Sequence, residues 1–321
     1  MTMPGLGSEH GFRHEALLYS GDHEFVDRTV AFIRDGLADG DAVLTVVDAR
    51  KIERLRAALG RDAAPVEFAD MAGVGRNPAL IIQVWRDFVS ANAASGRRVR
   101  GIGEPISPAR SQAALFECHV HESLLNLAVD PDTDFWLLCP YDTATLPGAC
   151  IGEAIGAHPF VSEHGACRKN EGMTADYSRY FGAPLRPPVG PVQSVEFDRD
   201  SLQTLRRFVA ATASAAGVDS ERVAGLAVSV SEIATNAIVH GKGCGRAVLW
   251  SEGQEVLCEI QGPGRITDPL VGRIRPCAGQ VNGYGLWLAN QFCDLVQIRS
   301  TDSGTTVRLH VHRNGRASAL S

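Results

Sequence analysis

Runs of apolar residues alternate with amphipathic stretches over residues 14–160. Ala16-Leu17-Leu18-Tyr19 is an apolar run of strand length. The segment after it places Phe25, Val26, Val30, Phe32 and Ile33 on one helical face, with Asp22 as its cap and Gly36 or Gly40 as its stop. Ala42–Val47 reads as a buried strand, followed by a helix to Leu59 and a short strand at Val66–Ala69. Asn77-Pro78 opens another helix that runs through Ala94. Val99–Ile102 is a strand, Pro108–Val129 a helix, and Phe135–Cys139 a fifth apolar strand. Strands that alternate with helices predict a parallel sheet covered on both faces. Such sheets take ligands beyond the carboxyl ends of their strands, where Ser20, Asp48, Asp70, Glu104, Tyr141 and Asp142 fall. The same residues also suit plain caps and turns. No Gly-x-x-x-x-Gly-Lys-Ser/Thr loop follows a strand, and Gly73-Val74-Gly75 lacks the lysine.

The pattern changes after residue 182. Pro184, Pro187, Pro188 and Pro191 stiffen the stretch 182–194 and preclude a helix there. A strand near Val195–Phe197 follows, then a helix capped by Asp200 that carries Leu202, Leu205, Phe208 and Val209 inward and stops at Gly217. Further strands are expected at 246–251, 255–261, 295–300 and 305–312. The loop 264–282 is long enough to be a lid, and the tail from 313 to 321 is polar and expected to be disordered.

The helix between these elements holds the candidate chemistry. Glu232, Asn236 and His240 stand at i, i+4 and i+8, on one face, while Leu226, Val230, Ile233 and Ala237 form an apolar stripe on the other. Gly241 sits where a C-terminal glycine belongs. A carboxamide oxygen can ligate a hard cation, and a carboxylate one turn earlier can orient a hydroxyl. An ordinary solvated helix face carries the same residues, so the neighbouring motifs decide. Asn282-Gly283-Tyr284-Gly285-Leu286 puts a glycine pair at the start of a second helix, where backbone N–H groups can approach a phosphate. Ser303-Gly304-Thr305-Thr306 is a turn entering an alternating strand.

In that order the three motifs resemble the GHKL ATPase superfamily, and more narrowly the anti-sigma-factor serine kinases. The resemblance covers about residues 190–312. It implies a C-terminal α/β two-layer sandwich of the GHKL (Bergerat) type that binds ATP and Mg2+. It implies Glu232 as general base, Asn236 as magnesium ligand, Gly283, Gly285 and Leu286 at the phosphates, and Gly304, Thr305 and Thr306 near the adenine. The family also has an adenine-binding Asp at the end of a central strand, followed by glycines. Counting back from Gly264 and Asp268-Pro269 puts that position on Gly262; using Gly262 and Gly264 as the glycines puts it on Ile260. Neither is acidic. A lost charge-assisted hydrogen bond costs about 1.5–3 kcal/mol, on the order of 10- to 100-fold in affinity.

His14, the Gly103-Glu104-Pro105 run, His121-Glu122 with Leu124, Leu125 and Asn126, the run 137–142, and His158-Pro159 are similar to the MEDS sensory domain, related to RecA-like folds. That likeness covers about residues 10–165 and implies sensing of an unknown small-molecule signal. The division expected is therefore a sensory domain at 10–165, a linker at 166–194 and an ATP-binding domain at 195–312.

Composition narrows the partners. A net charge of -6 gives no electrostatic case for nucleic acid. No apolar run approaches membrane-spanning length and the N-terminus lacks a signal pattern, so no membrane association and a cytoplasmic location are expected. The 8 cysteines are scattered without a Cys-x-x-Cys pair, which fits free buried thiols. Cys118, His119 and His121 lie close in sequence, but i and i+2 point apart on a helix, so no zinc site is expected there. Three functions stay open. One is a kinase that phosphorylates Ser/Thr of an antagonist protein. The second is a degenerate module that sequesters a sigma factor or antagonist without ATP turnover. The third, a sensor histidine kinase, needs a helical hairpin bearing a phosphoaccepting His where the prolines stand. A homodimer is compatible with all three.

Overall fold

The computed structural model describes residues 11–174, 176–277 and 283–313. The chain divides into two compact units between Asp176 and Tyr177.

The first unit runs β1 (Arg13–Tyr19), α1 (Gly21–Ala38), β2 (Ala42–Val47), α2 (Ala49–Leu59), β3 (Glu67–Asp70), α3 (Met71–Val74), α4 (Ile81–Ala93), β4 (Val99–Gly103), α5 (Gln112–Ala128), β5 (Phe135–Asp142), α6 (Gly148–Ala157), β6 (Phe160–Glu163) and β7 (Ala166–Lys169). Its sheet has the order β3-β2-β4-β5-β1-β6-β7. All neighbours pair in parallel except the hairpin β6–β7. Residues 166–169, expected in the linker, thus add an antiparallel edge strand. Ile102, Leu138 and Leu17 meet Phe25, Ile33 and Leu55 of α1 and α2 on one face. On the other face Trp85 of α4 lies over β4, where a Cβ at Gly101 or Gly103 would come within 2.8 Å of its ring. Glycine at alternate positions of that strand makes room for the indole.

Several of the strand-end polar groups are caps. Asp48 accepts from Lys51 N–H and Asp70 from Ala72 N–H. Glu104 and Tyr19 instead gather Lys51, whose Nζ lies 2.6 Å from Glu104 Oε1 and 2.8 Å from Tyr19 Oη. Asp22 does not cap α1. Ser20 occupies that position, and Asp22 pairs with Arg50 and Arg54 in the first turn. α5 starts at Gln112 rather than near Pro108, because Ser111 accepts from Ala114 N–H.

The second unit holds α7 (Ser178–Gly182), β8 (Gln193–Asp198), α8 (Leu202–Ala215), α9 (Ser220–His240), β9 (Cys244–Glu252), β10 (Glu255–Gly262), α10 (Tyr284–Phe292), β11 (Leu295–Thr301) and β12 (Gly304–His312). Its antiparallel sheet has the order β11-β12-β10-β9-β8. Leu205, Val209, Leu226, Val230 and Ile233 of the helices pack on Leu249, Cys258, Ile260, Val307 and Leu309, giving a two-layer sandwich. On the opposite face Glu259 stands across from Arg308 in register, and both are buried in an ion pair. Asp200 does not cap α8. Asp198 accepts from the N–H groups of Asp200 and Ser201, and Ser201 is the cap residue. α9 has the length and hydropathy of a membrane span, but Leu226, Val230 and Ala234 are buried in the core. The tail 314–321 and residues 278–282 of the expected lid lie outside the described residues.

Candidate functional site

α9 is fixed at its start by Asp219, which accepts from Arg222 N–H, and Arg222 in turn pairs with Asp294 of the sheet layer. Once the apolar stripe is buried, Glu232 is half-buried and Asn236 exposed on the flank that faces α10. α10 enters through Gly283, whose φ of 101° is left-handed and favours glycine. Gly285 then lies directly on α9. A Cβ at 285 would stand 3.0 Å from Glu232 Cβ and 3.1 Å from Asn236 Nδ2. Only glycine lets the first turn of α10 come this close. Its unpaired N–H groups and positive dipole end thus open beside the carboxylate and the carboxamide.

A cavity of about 190 Å3 adjoins this corner. Ile233, Asn236, Ala237 and His240 line it from α9, Gly283 and Leu286 from α10 and its cap. Ile260 and Gly262 of β10 and Thr305 and Val307 of β12 form its sheet wall, and Gly264, Arg265, Ile266 and Val271 its loop wall. None of these lining residues is a carboxylate. Asn236, Gly262, Gly264, Gly283, Leu286 and Thr305, expected at a nucleotide site, are therefore brought together, with Glu232 and Gly285 packed on Asn236.

The strand wall bears on where the expected acid could stand. Gly262 cannot be the place of a side chain, because a Cβ there would lie 2.8 Å from Ala237 Cβ. Ile260 is two residues earlier on the same strand face, is 1% exposed and lines the cavity. Of the two positions at which the sequence left room for the expected acid, Ile260 faces the cavity and Gly262 does not admit a side chain. Gly262 and Gly264 serve the close passage of the strand end over α9; a Cβ on Gly264 would stand 2.9 Å from His240 O. Gly241 ends α9, and Pro263, just past β10, passes 3.2 Å from where its Cβ would stand. Its φ is −108°, outside the left-handed region, and a Cβ there would lie 2.3 Å from Ala237 O.

Two expected site residues lie elsewhere. Asp268 is exposed, and its carboxylate accepts from Leu270 N–H at 2.9 Å as a turn former. Thr306 pairs with Gln261 and so faces away from the cavity, on the side of Arg308 and Glu259. Thr305 faces inward, but its hydroxyl donates to Gly264 O at 2.8 Å and meets Ser300 Oγ at 2.9 Å. Ser300 Oγ in turn accepts from Ile266 N–H at 2.8 Å. Thr305 thereby clasps the loop that walls the cavity. Asn282 lies outside the described residues. Ile266 and Val271 carried no sequence signal, since they sit in irregular chain without a periodic pattern.

The donor set fits one end of a magnesium nucleotide better than the other. The start of α10, Asn236 and Glu232 suit a phosphate chain and a hard cation. The far wall offers an adenine ring apolar contact with Ile260, Ile266 and Val307, but no acidic acceptor for its amino group.

Residues 13–159 match the MEDS family, described as MEthanogen/methylotroph, DcmR Sensory domain. Residues 195–311 match the histidine kinase-like ATPase domain. Among solved structures, the crystal structure of the RsbU and RsbW domains of Rv1364c from Mycobacterium tuberculosis aligns with 20% identity and a TM-score of 0.30. The alignment covers 38% of this chain and 32% of that one. No curated protein matches the chain.

Proposed function

We propose that this chain, which joins a MEDS domain to a histidine kinase-like ATPase domain, is a cytosolic signalling regulator of the anti-sigma-factor type. The observation that carries the reading is the seat of Gly285 on Glu232 and Asn236, beside a cavity, in a domain of the ATPase family. In this role Asn236 Oδ1 would hold Mg2+, and the N–H groups after Gly283 would receive phosphate oxygens. Glu232 would orient the hydroxyl of a Ser or Thr on an antagonist protein and accept its proton. ATP, when bound, supplies the phosphoryl group. The protein's part is then positioning and charge neutralisation. The MEDS domain would sense a small-molecule signal, and the partner would be a sigma factor or its antagonist.

Ile260 favours a second reading. With an apolar side chain in place of the acid, ATP affinity falls by the order of 10- to 100-fold estimated above, and the domain could act as a binding module without turnover. Calorimetric titration with magnesium-ATP separates the two. The kinase reading expects saturable, magnesium-dependent binding that Asn236→Ala abolishes while far-ultraviolet circular dichroism is unchanged, since Asn236 is exposed and contributes little to the core. Equal affinity in the variant would remove Asn236 as metal anchor. Absence of heat at millimolar nucleotide would favour the binding module.

A further inference from the structure

Four side chains of the first unit converge in its interior, away from the nucleotide-type site. They are His14 on β1, Glu122 on α5, Cys139 on β5 and His158 just after α6. None is more than 2% exposed. One nitrogen, oxygen or sulfur atom from each lies within 4.8 Å of all the others. His14 Nε2 is 3.2 Å from Glu122 Oε2 and 3.4 Å from Cys139 Sγ, and His158 Nε2 is 3.4 Å from the same Glu122 oxygen. The edges of a zinc tetrahedron built from bonds of 2.0–2.3 Å are about 3.3–3.8 Å.

The proton positions are set by the outer partners. His158 Nδ1 is 2.7 Å from Ala154 O, an atom that can only accept, so Nδ1 carries a proton. Asn126 Nδ2 donates to Ala157 O, which leaves Asn126 Oδ1 as the acceptor 3.0 Å from His14 Nδ1. His14 Nδ1 therefore also carries a proton. In the neutral rings both Nε2 lone pairs then point at a carboxylate oxygen. The ring centroids are 4.0 Å apart, which opposes two imidazolium charges. Among the described residues Glu122 Oε1 has no hydrogen-bond partner, and His158 Nε2 has only the 3.4 Å approach to Glu122 Oε2. Two lone pairs, a carboxylate and a thiol thus face one point.

We propose that His14 Nε2, His158 Nε2, a Glu122 carboxylate oxygen and Cys139 Sγ bind one divalent metal ion of the zinc class. Two imidazoles, a thiolate and a carboxylate suit Zn2+, and Asn126 and Ala154 supply the outer hydrogen bonds that orient ligating histidines. The Cys139 thiol loses its proton to solvent as the metal binds, and the resulting thiolate and the Glu122 carboxylate balance the ion's two charges. All four ligands are buried, so the ion enters as the chain folds. It would tie β1, β5, α5 and the turn after α6 together.

The test uses the untagged full chain, expressed in minimal medium with either zinc or cobalt as the supplied metal. Mass spectrometry of the folded protein should find about one ion per chain. The cobalt form should show the visible bands of tetrahedral cobalt and a near-ultraviolet thiolate-to-cobalt band. Cys139→Ser should lose the thiolate band and keep a visible spectrum; Cys150→Ser, outside the cluster, should keep both. A folded wild-type chain without stoichiometric zinc or cobalt overturns the proposal, whether or not the variants fold. So does a thiolate band that survives Cys139→Ser.

Discussion

At Gly262 the constraint on chemistry is steric, since a Cβ would press on Ala237 of α9 at 2.8 Å. Gly262→Asp is therefore expected to destabilise the second unit by about 1–3 kcal/mol, as overpacked sites do, without improving ATP binding. Ile260→Asp differs because residue 260 faces the cavity. It should lower the stability of the free protein, since it buries an acid without a partner, yet tighten ATP binding by the order of 10- to 100-fold and raise preference for ATP over GTP. Urea unfolding and nucleotide titration on both variants check this. Tighter ATP binding by Gly262→Asp, with Ile260→Asp unchanged, would reverse the assignment. The motif alignment favours Gly262, although both positions lie on one strand face and neither is acidic. The lack of room for a side chain at Gly262 depends on how α9 crosses β10, a tertiary fact.

Within elements, hydrophobic period was a reliable guide and local capping less so. The five strands read in the first half and the motif helix around Glu232 are all present; four of the strands are largely buried runs and the helix has a full apolar stripe, whereas β3 is four residues with none buried. Asp22 and Asp200 misled because either end of a short polar cluster can cap, and Ser20 and Ser201 hold the position. The hairpin β6–β7 escaped because its strands are four residues each and β7 is largely exposed, leaving no apolar run. Thr306 was carried with Thr305 by adjacency, although neighbours on a strand face opposite ways. The β10–β12 pairing also has a testable electrostatic part. His310 Nδ1 is 3.0 Å from a Glu255 oxygen, and this bond holds the half-buried carboxyl below its ordinary value of 4.5. A carboxyl held down in the folded state stabilises above its unfolded pKa, and that stability is lost as pH falls through the folded one. Glu255→Gln should thus lower the urea midpoint at neutral pH, and the gap from wild type should close in acid below the ordinary value. A gap that is constant across that window would mean the pair contributes nothing through ionisation.

At the scale of the whole molecule, the boundary between the compact units falls at 176/177, ahead of the proline-rich stretch. α7 lies between the two, and its Phe181 packs on the core of the second unit, while Tyr180 is 5% exposed. We expect a fragment of residues 177–313 to be more stable than one of 183–313 by about 1.5–3 kcal/mol, the contribution of one buried aromatic side chain. Chemical denaturation of the two fragments measures the difference, and equal midpoints would make α7 dispensable. A nucleotide site at the corner where α10 meets α9 is tested most directly by amide hydrogen exchange on the full chain with and without magnesium-ATP. A nucleotide seated there should slow exchange at residues 283–290 and 262–266 and leave the first unit unchanged. Unaltered exchange at both segments under saturating nucleotide, or protection confined to the first unit, would contradict the account.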